Sequence, residues 1–151
     1  MKIVTLNKEG TSKLLRRELY FSQRDIASKE VSYLPGEFIS LVAANDSNMC
    51  LGFVDPFNKQ GIRIARIDTK LSYEINDNEE SIGREVVTDN LNKAYQQRKL
   101  FKNYQVGARI FFGNADGFPG LVIDEYENCV LCKLSSVGAY RVKAQIKEIV
   151  V

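Results

Sequence analysis

The chain has 151 residues, a formal net charge of +2 and no histidine. This length suffices for one medium domain or two small ones. Without histidine, Ser-His or Cys-His catalysis cannot be built within the chain. No apolar run approaches the roughly 18 residues of a membrane span, and the N-terminus lacks a signal-peptide pattern. We therefore expect a cytoplasmic protein with no membrane partner.

The first half of the sequence predicts short strands around one small helix. The helix is expected over Lys13–Glu18, opened by Thr11-Ser12. Strands are expected over residues 1–6, 26–33 (weakly), 38–44, 49–54 and 62–67. Short strands at this spacing favour a compact β-barrel over about residues 1–70.

The second half predicts an α+β subdomain over residues 71–151, separated from the barrel by an acidic connector over 71–78. A helix over 77–102 carries an apolar face formed by Val87, Leu91, Ala94, Tyr95 and Phe101. Three strands follow as an antiparallel meander over 109–112, 121–123 and 130–134. A second helix begins after Gly138 and ends on an unfinished apolar stripe at Val151, which indicates a truncated polypeptide.

The first connection of this meander is unusually constrained. Asp116-Gly117 is followed at once by Pro119-Gly120, which places two turn signals within five residues. The glycines can take positive φ, and the proline fixes its own φ. On turn chemistry alone, a merely tight connecting loop is the more frequent explanation for such a segment.

Charge is unevenly distributed along the chain. Basic residues outweigh acids over 1–24 and 91–109, whereas acids dominate over 68–89. This pattern suggests a face that prefers polyanions, although solvated helix faces would produce the same pattern. Lys13, Arg16 and Arg17 fall within about one helical turn and are expected to bind phosphate without reading sequence.

The three cysteines give little sign of a metal or disulfide site. An odd number of cysteines without a secretion signal argues against a disulfide framework. Cys129 and Cys132 have metal-like spacing, but side chains three apart on a strand point to opposite faces. Packed strand cysteines and no metal are therefore expected.

One longer motif includes the constrained turn. The motif consists of Arg109 and, further on, Ala115-Asp-Gly-Phe-Pro-Gly-Leu-Val-Ile-Asp124-Glu-Tyr126. It resembles the "R…(E)ADGLPGLVVDRY" signature of a methyltransferase family. These are the S-adenosylmethionine-dependent large-subunit ribosomal RNA cytosine methyltransferases that begin with a PUA domain. Asn114, Phe118 and Glu125 depart from the family pattern, which has Glu, Leu and Arg there. Residues 8–17 resemble the basic helix of that PUA domain, and residues 52–56 its "GYYNP" motif.

The resemblance covers nearly the whole chain and implies its architecture and role. It implies a PUA-like barrel followed by a small strand–helix–strand (EEHEE-like) subdomain, with ribosomal RNA as the partner in rRNA processing. For the full-length parent protein, the resemblance implies S-adenosylmethionine as the cofactor and a homodimer as an expected state. RNA contacts are implied for Lys8, Lys13, Arg16, Arg17, Arg63 and Arg66. A substrate-cleft wall is implied for Arg109, Asn114, Asp116, Gly117, Pro119, Gly120 and Asp124.

The sequence does not supply the catalytic parts of such an enzyme. It contains no strand–glycine-loop–helix unit for the cofactor and no catalytic-cysteine motif. The Rossmann methyltransferase domain is thus expected to be absent, and this chain alone to be inactive, with no catalytic or cofactor-binding residue. The alternative is a free-standing PUA-type RNA-binding or protein-interaction module without catalytic activity.

Overall fold

A computed structural model of the chain describes residues 1–27, 32–45, 49–57, 61–68, 78–98 and 107–150, without the side chains of residues 49, 66–68, 79 and 80. The described residues form a mixed fold of helices and two sheets, as the sequence predicts. The elements in chain order are β1 (Lys2–Thr5), α1 (Lys8–Leu15), β2 (Tyr20–Phe21), β3 (Phe38–Val42), β4 (Met49–Asp55), β5 (Gly61–Asp68), α2 (Glu79–Arg98), β6 (Ala108–Phe112), β7 (Leu121–Tyr126), β8 (Cys129–Leu134), α3 (Val137–Arg141) and α4 (Lys143–Val150).

The first sheet has five strands in the order β1-β3-β4-β5-β2. The β1–β3 pairing is parallel, whereas the other pairings are antiparallel. The predicted hairpin of β3 and β4 is confirmed, with Phe38 opposite Phe53. A single bridge joins Leu6, just after β1, to Ile26, beyond β2. That bridge brings together chain segments that follow the two edge strands of the sheet.

The second sheet is the predicted meander. Its order is β6-β7-β8, and both pairings are antiparallel. Phe111, Leu121 and Ile123 are fully buried on its inner face. The strand pattern of the sequence was sufficient here because β-branched and aromatic runs lie between strong turn signals.

Alternate residues of the first sheet belong to two different cores. On β4, Cys50 and Val54 pack into an N-terminal core together with Leu14 of α1. Leu51 and Phe53 instead pack into a second, shared core that contains residues of α2, the meander, α3 and α4. Successive side chains of a strand point to opposite faces. This central strand is therefore buried on both sides, and the two halves of the chain pack directly against each other.

The predicted position of the first helix was wrong. The helix begins at Lys8 because the side chain of Asn7 accepts a hydrogen bond from the Gly10 N–H at 2.9 Å, a strong N-cap. Thr11 therefore lies inside the helix. Arg16 is its C-cap, and Arg17 follows with a positive φ of 59°.

At the start of α2, the Asn78 side chain accepts an N-cap hydrogen bond from the Ser81 N–H at 2.8 Å. Two smaller expectations changed. The weak strand predicted over 26–33 is wrong in its described part, where Ile26 forms only a bridge. The single C-terminal helix is divided into α3 and α4, with Val142 between them.

Part of the predicted connector and of the long helix lies outside the described residues. These positions are 69–77 and 99–106, which include Phe101 and most of the expected domain boundary. Among the helices that the structure describes, none is long and apolar enough to cross a membrane.

Candidate functional site

Asp116 fixes the shape of the constrained turn. Its carboxylate accepts a hydrogen bond from the Phe112 N–H at 2.5 Å and two from the Arg98 guanidinium, at 2.9 and 2.7 Å. Bidentate, charge-assisted pairing of this kind is strong and directional. Gly117 then takes a left-handed φ of 82°. The turn predicted over Asp116–Gly120 is thus held from α2 as well as from its own backbone.

Two contacts join this turn to the first sheet. The buried Phe118 ring stacks on Phe53 of β4, with ring centroids 5.7 Å apart. The Asn90 side chain of α2 donates to the Ala65 carbonyl of β5 at 3.2 Å and to the Gly117 carbonyl at 3.0 Å. One amide therefore links both halves of the chain. Its position inside a helix, where asparagine is unfavourable, is the sequence signal that could have identified it.

Hydrogen bonds join the C-terminal end of the turn, at Pro119 and Gly120, to the segment that begins α3. The Ser136 hydroxyl donates to the Pro119 carbonyl at 2.7 Å and also caps α3 by accepting from the Ala139 N–H. Gly120 has a φ of 85°, and a Cβ there would lie 2.4 Å from the Ser136 side chain. Only glycine meets both requirements.

The remaining predicted cleft residues lie on β6 and β7 and at the start of the connection between them. Arg109 donates to Asp124 at 2.7 and 3.1 Å, and its guanidinium lies over the Phe112 ring. This pairing lowers the pKa of the Asp124 carboxyl. Asn114 donates to the Tyr20 hydroxyl of β2. Of the seven predicted residues, five therefore lie in the connection between β6 and β7, whereas Arg109 and Asp124 pair with each other further along these strands. Their role toward a substrate stays a prediction.

Three of the predicted RNA-binding cations are engaged by acids. Lys13 pairs with the buried Asp25 at 2.8 Å, and Arg16 pairs with Glu18 at 2.8 Å. Arg63 pairs with Asp55 at 2.9 Å. These acids cancel much of the charge that the linear sequence showed.

The other predicted cations differ from this group. Lys8 and Arg17 are exposed, and the described residues offer neither of them an acidic partner. The side chain of Arg66 lies outside the described residues. Arg24, which the motif comparison did not select, is also exposed, on the 3₁₀ turn over Gln23–Asp25.

The cysteines only partly follow expectation. Cys50 is buried, and burial raises the pKa of its thiol to about 12. Cys129 and Cys132 are exposed, so the prediction that they pack was wrong. Their strand, β8, forms one edge of the three-stranded sheet, and an edge strand is covered less than a central one.

Comparison with known proteins supplies the family context. Residues 4–66 match the PUA-like domain model. The whole chain is 25% identical over 150 residues to the ribosomal RNA large subunit methyltransferase I of Aliivibrio fischeri, covering 98% of this chain and 36% of the relative. The protein of that name from Pseudoalteromonas atlantica is 26% identical over 145 residues, with 95% and 34% covered.

Residues 4–66 are therefore similar to PUA-like domains. The resemblance stated from the sequence is confirmed: the chain matches an N-terminal part of the large-subunit ribosomal RNA methyltransferases. It spans about a third of the length of the curated relatives it matches.

Solved structures show the same fold. A protein of Streptococcus mutans assigned to the SAM-dependent methyltransferases superposes with a TM-score of 0.69 at 18% identity, covering 99% of this chain and 38% of that one. A second structure, of a protein assigned to the methyltransferases and complexed with SAH, gives a TM-score of 0.70 at 17% identity, with the same coverage.

Proposed function

We propose that this chain is the RNA-binding N-terminal portion of an S-adenosylmethionine-dependent ribosomal RNA (cytosine-C5) methyltransferase. It would position rRNA for a catalytic domain that is not among these 151 residues. The observation that carries this proposal is similarity over 98% of the chain to ribosomal RNA methyltransferases, together with the PUA-like match at residues 4–66.

The architecture supports the proposal. We infer that the five-stranded sheet is the barrel of the PUA-like domain, since the Leu6–Ile26 bridge joins the segments after its two edge strands. We assign residues 71–151 to the EEHEE-like subdomain. The shared core and the Asn90 hydrogen bonds would keep the two parts in a fixed relative orientation.

The N-terminal segment supplies the electropositive face in this proposal. Lys8 begins α1 and Arg17 directly follows its C-cap, and both are exposed. Exposed lysine and arginine bind phosphate oxygens and fix register on nucleic acid without reading sequence. Lys13 and Arg63, being paired with acids, would contribute mainly by shaping that face.

The turn would serve as a wall of the substrate cleft. Its hydrogen bonds to α2 and α3 hold it rigid, and a rigid wall positions a substrate more accurately than a mobile loop. The exposed Arg109, which pairs with Asp124, lies on the outer face of the three-stranded sheet that the turn belongs to.

The described residues do not fit an S-adenosylmethionine site. β1 leads into α1 through Leu6-Asn7, without the glycine loop that brings a backbone close to such a cofactor. We therefore expect calorimetric titration of the 151-residue chain with S-adenosylmethionine to show no saturable heat. Micromolar binding at unit stoichiometry would contradict this expectation.

RNA binding can be tested through its salt dependence. Each phosphate contact adds about 0.7 to 0.9 to the slope of log affinity against log salt. The double variant Lys8→Ala/Arg17→Ala should therefore flatten the slope by between about one and two units and weaken binding to unrelated structured RNAs alike. Fluorescence anisotropy over a salt series provides the measurement.

The double variant Lys133→Ala/Lys147→Ala is the matched control, because it removes the same charge from exposed positions on β8 and α4. Its slope should equal that of the wild type. Equal flattening in both variants would show that only net charge matters and would refute the assigned face.

Absence of RNA binding by the wild type would favour the alternative, a protein-interaction module. Exposed Val130 and Leu131 on β8 make that alternative reasonable.

A further inference from the structure

An open cleft of about 460 Å³ lies beside the 3₁₀ turn over Gln23–Asp25. Gln23 and Arg24 line one side of the cleft. Apolar side chains of Ile26, Val54 and Ile62 line another part. Small-molecule sites typically measure about 300–1,000 Å³ and combine apolar walls with a few fixed polar groups. The cleft therefore has the size and chemistry to hold one small, partly polar ligand.

The polar side of the cleft is held in place by α1. The Asn7 side chain donates to the Arg24 carbonyl at 2.6 Å, while Lys13 pairs with the neighbouring Asp25. Asp25 also accepts from the Ser22 N–H at 2.7 Å. A Cβ at Gly10 would lie 2.3 Å from the Asp25 carbonyl oxygen, so glycine is needed for this approach. The Arg24 backbone is thus preorganised, whereas its side chain stays exposed.

The charge of the cleft indicates the kind of ligand. Arg24 carries the only charge among the described residues that line it. Lys13, which would otherwise add a second cation nearby, is neutralised by Asp25. A single arginine at an apolar cleft matches one phosphate joined to one flat, largely apolar ring. Arginine binds phosphate through two parallel hydrogen bonds.

Tyr33 forms a further part of the cleft wall. Its hydroxyl is buried and has no hydrogen-bond partner among the residues that the structure describes, and the Lys2 ammonium lies 5.6 Å from the ring centroid. A buried hydroxyl without a partner is costly. A polar ligand group that formed a hydrogen bond with the Tyr33 hydroxyl would remove this cost.

We propose that this cleft binds one unpaired nucleotide of the RNA. Arg24 would hold its phosphate, the apolar side chains Ile26, Val54 and Ile62 would contact the base, and the Gln23 amide would be available to the base edge. This inference rests on the proposed RNA-binding function and adds to it a site that distinguishes single-stranded from paired RNA. Splayed bases are the part of RNA that proteins can enclose, because bases inside a duplex are not accessible.

The cleft can be tested without RNA. Titration of the ¹⁵N-labelled chain with cytidine or adenosine 5′-monophosphate should shift the backbone amides of Gln23, Arg24 and Gly61 saturably. The amides of Arg84 and Lys147, on α2 and α4, should not shift. Inorganic phosphate at equal concentration should shift these cleft amides far less. Equal shifts with phosphate would show a simple anion site and would overturn the proposal, as would the absence of shifts with either nucleotide.

A second measurement uses RNA itself. A hairpin with an unpaired loop should bind at least about fivefold more tightly than a blunt duplex of the same stem, as enclosing one base predicts. Arg24→Ala should remove that preference, while the exposed Lys147→Ala should retain it. If the wild type binds both RNAs equally, or if Arg24→Ala keeps the preference, the cleft proposal is wrong while RNA binding itself stands. If no RNA binds, the proposed function fails, and the nucleotide titration decides the cleft separately.

Discussion

Replacing Phe118 by alanine should destabilise the chain by about 3–5 kcal/mol, the usual cost of removing a buried phenylalanine ring. The ring is fully buried and lies between Phe38 and Phe53 of the first sheet, 6.4 and 5.7 Å away between centroids. Its loss would leave a cavity where the turn meets that sheet. Urea unfolding followed by circular dichroism measures the change.

Phe57 provides the matched control, because its side chain is 83% exposed. Phe57→Ala should change the free energy of unfolding by no more than about 0.5 kcal/mol, as is usual for surface substitutions. Phe118→Leu, which restores the residue expected from the family motif, should lose less than the alanine variant. If Phe118→Ala cost no more than Phe57→Ala, the turn would not be part of the shared core.

Replacing Lys13 by methionine should cost about 3 kcal/mol at neutral pH. This is the lower end of the range for breaking a buried ion pair, because the Lys13 side chain keeps 24% of its surface exposed while Asp25 keeps 1%. The variant leaves a buried carboxylate without its cation. Lys8→Met, on the same helix but exposed, should cost little. Removing both charges in Lys13→Met/Asp25→Asn should recover at least half of the loss.

The pH dependence of this pair has a defined sign. Burial raises the pKa of Asp25, but hydrogen bonds from Lys13 and Ser22 outweigh that effect, and the pKa lies below its usual value. The pair's stabilisation is therefore present above the unfolded pKa of about 3.9 and is lost as pH falls through the folded pKa. The pKa of Lys13 is raised by its hydrogen bond to Asp25. At alkaline pH, the stabilisation by the pair is therefore lost only when the pH rises past the pKa of Lys13 in the folded protein, which lies above the unfolded value of about 10.4.

The difference in unfolding free energy between the wild type and Lys13→Met should consequently be largest near neutrality. It should shrink once Asp25 is protonated in both proteins. Urea titrations at a neutral and a strongly acidic pH test this. A deficit that stayed constant with pH would mean that lost packing, rather than lost charge pairing, causes it.

The sequence by itself determined the features that depend on a few neighbouring residues. The strands of the meander and the turn over Asp116–Gly120 were predictable, because glycine and proline restrict the local backbone and β-branched runs favour strands. The same segment carried the resemblance to the methyltransferase family, which the comparisons confirm. The start of α1 is also encoded locally, by the Asn7 cap, although the Thr11-Ser12 pair predicts a later start.

Only the tertiary structure decided which of the predicted charges remain available. Lys13 and Arg63 look free in the sequence, yet each meets an acid contributed by another segment. Whether such an acid is close depends on how separate segments pack, and no local pattern records that. The same holds for Asn90, whose two acceptors lie on β5 and in the turn, and for the two faces of β4, where alternation was visible but the covering partners were not. Long-range contacts of this kind form only when hydrophobic burial brings distant segments together.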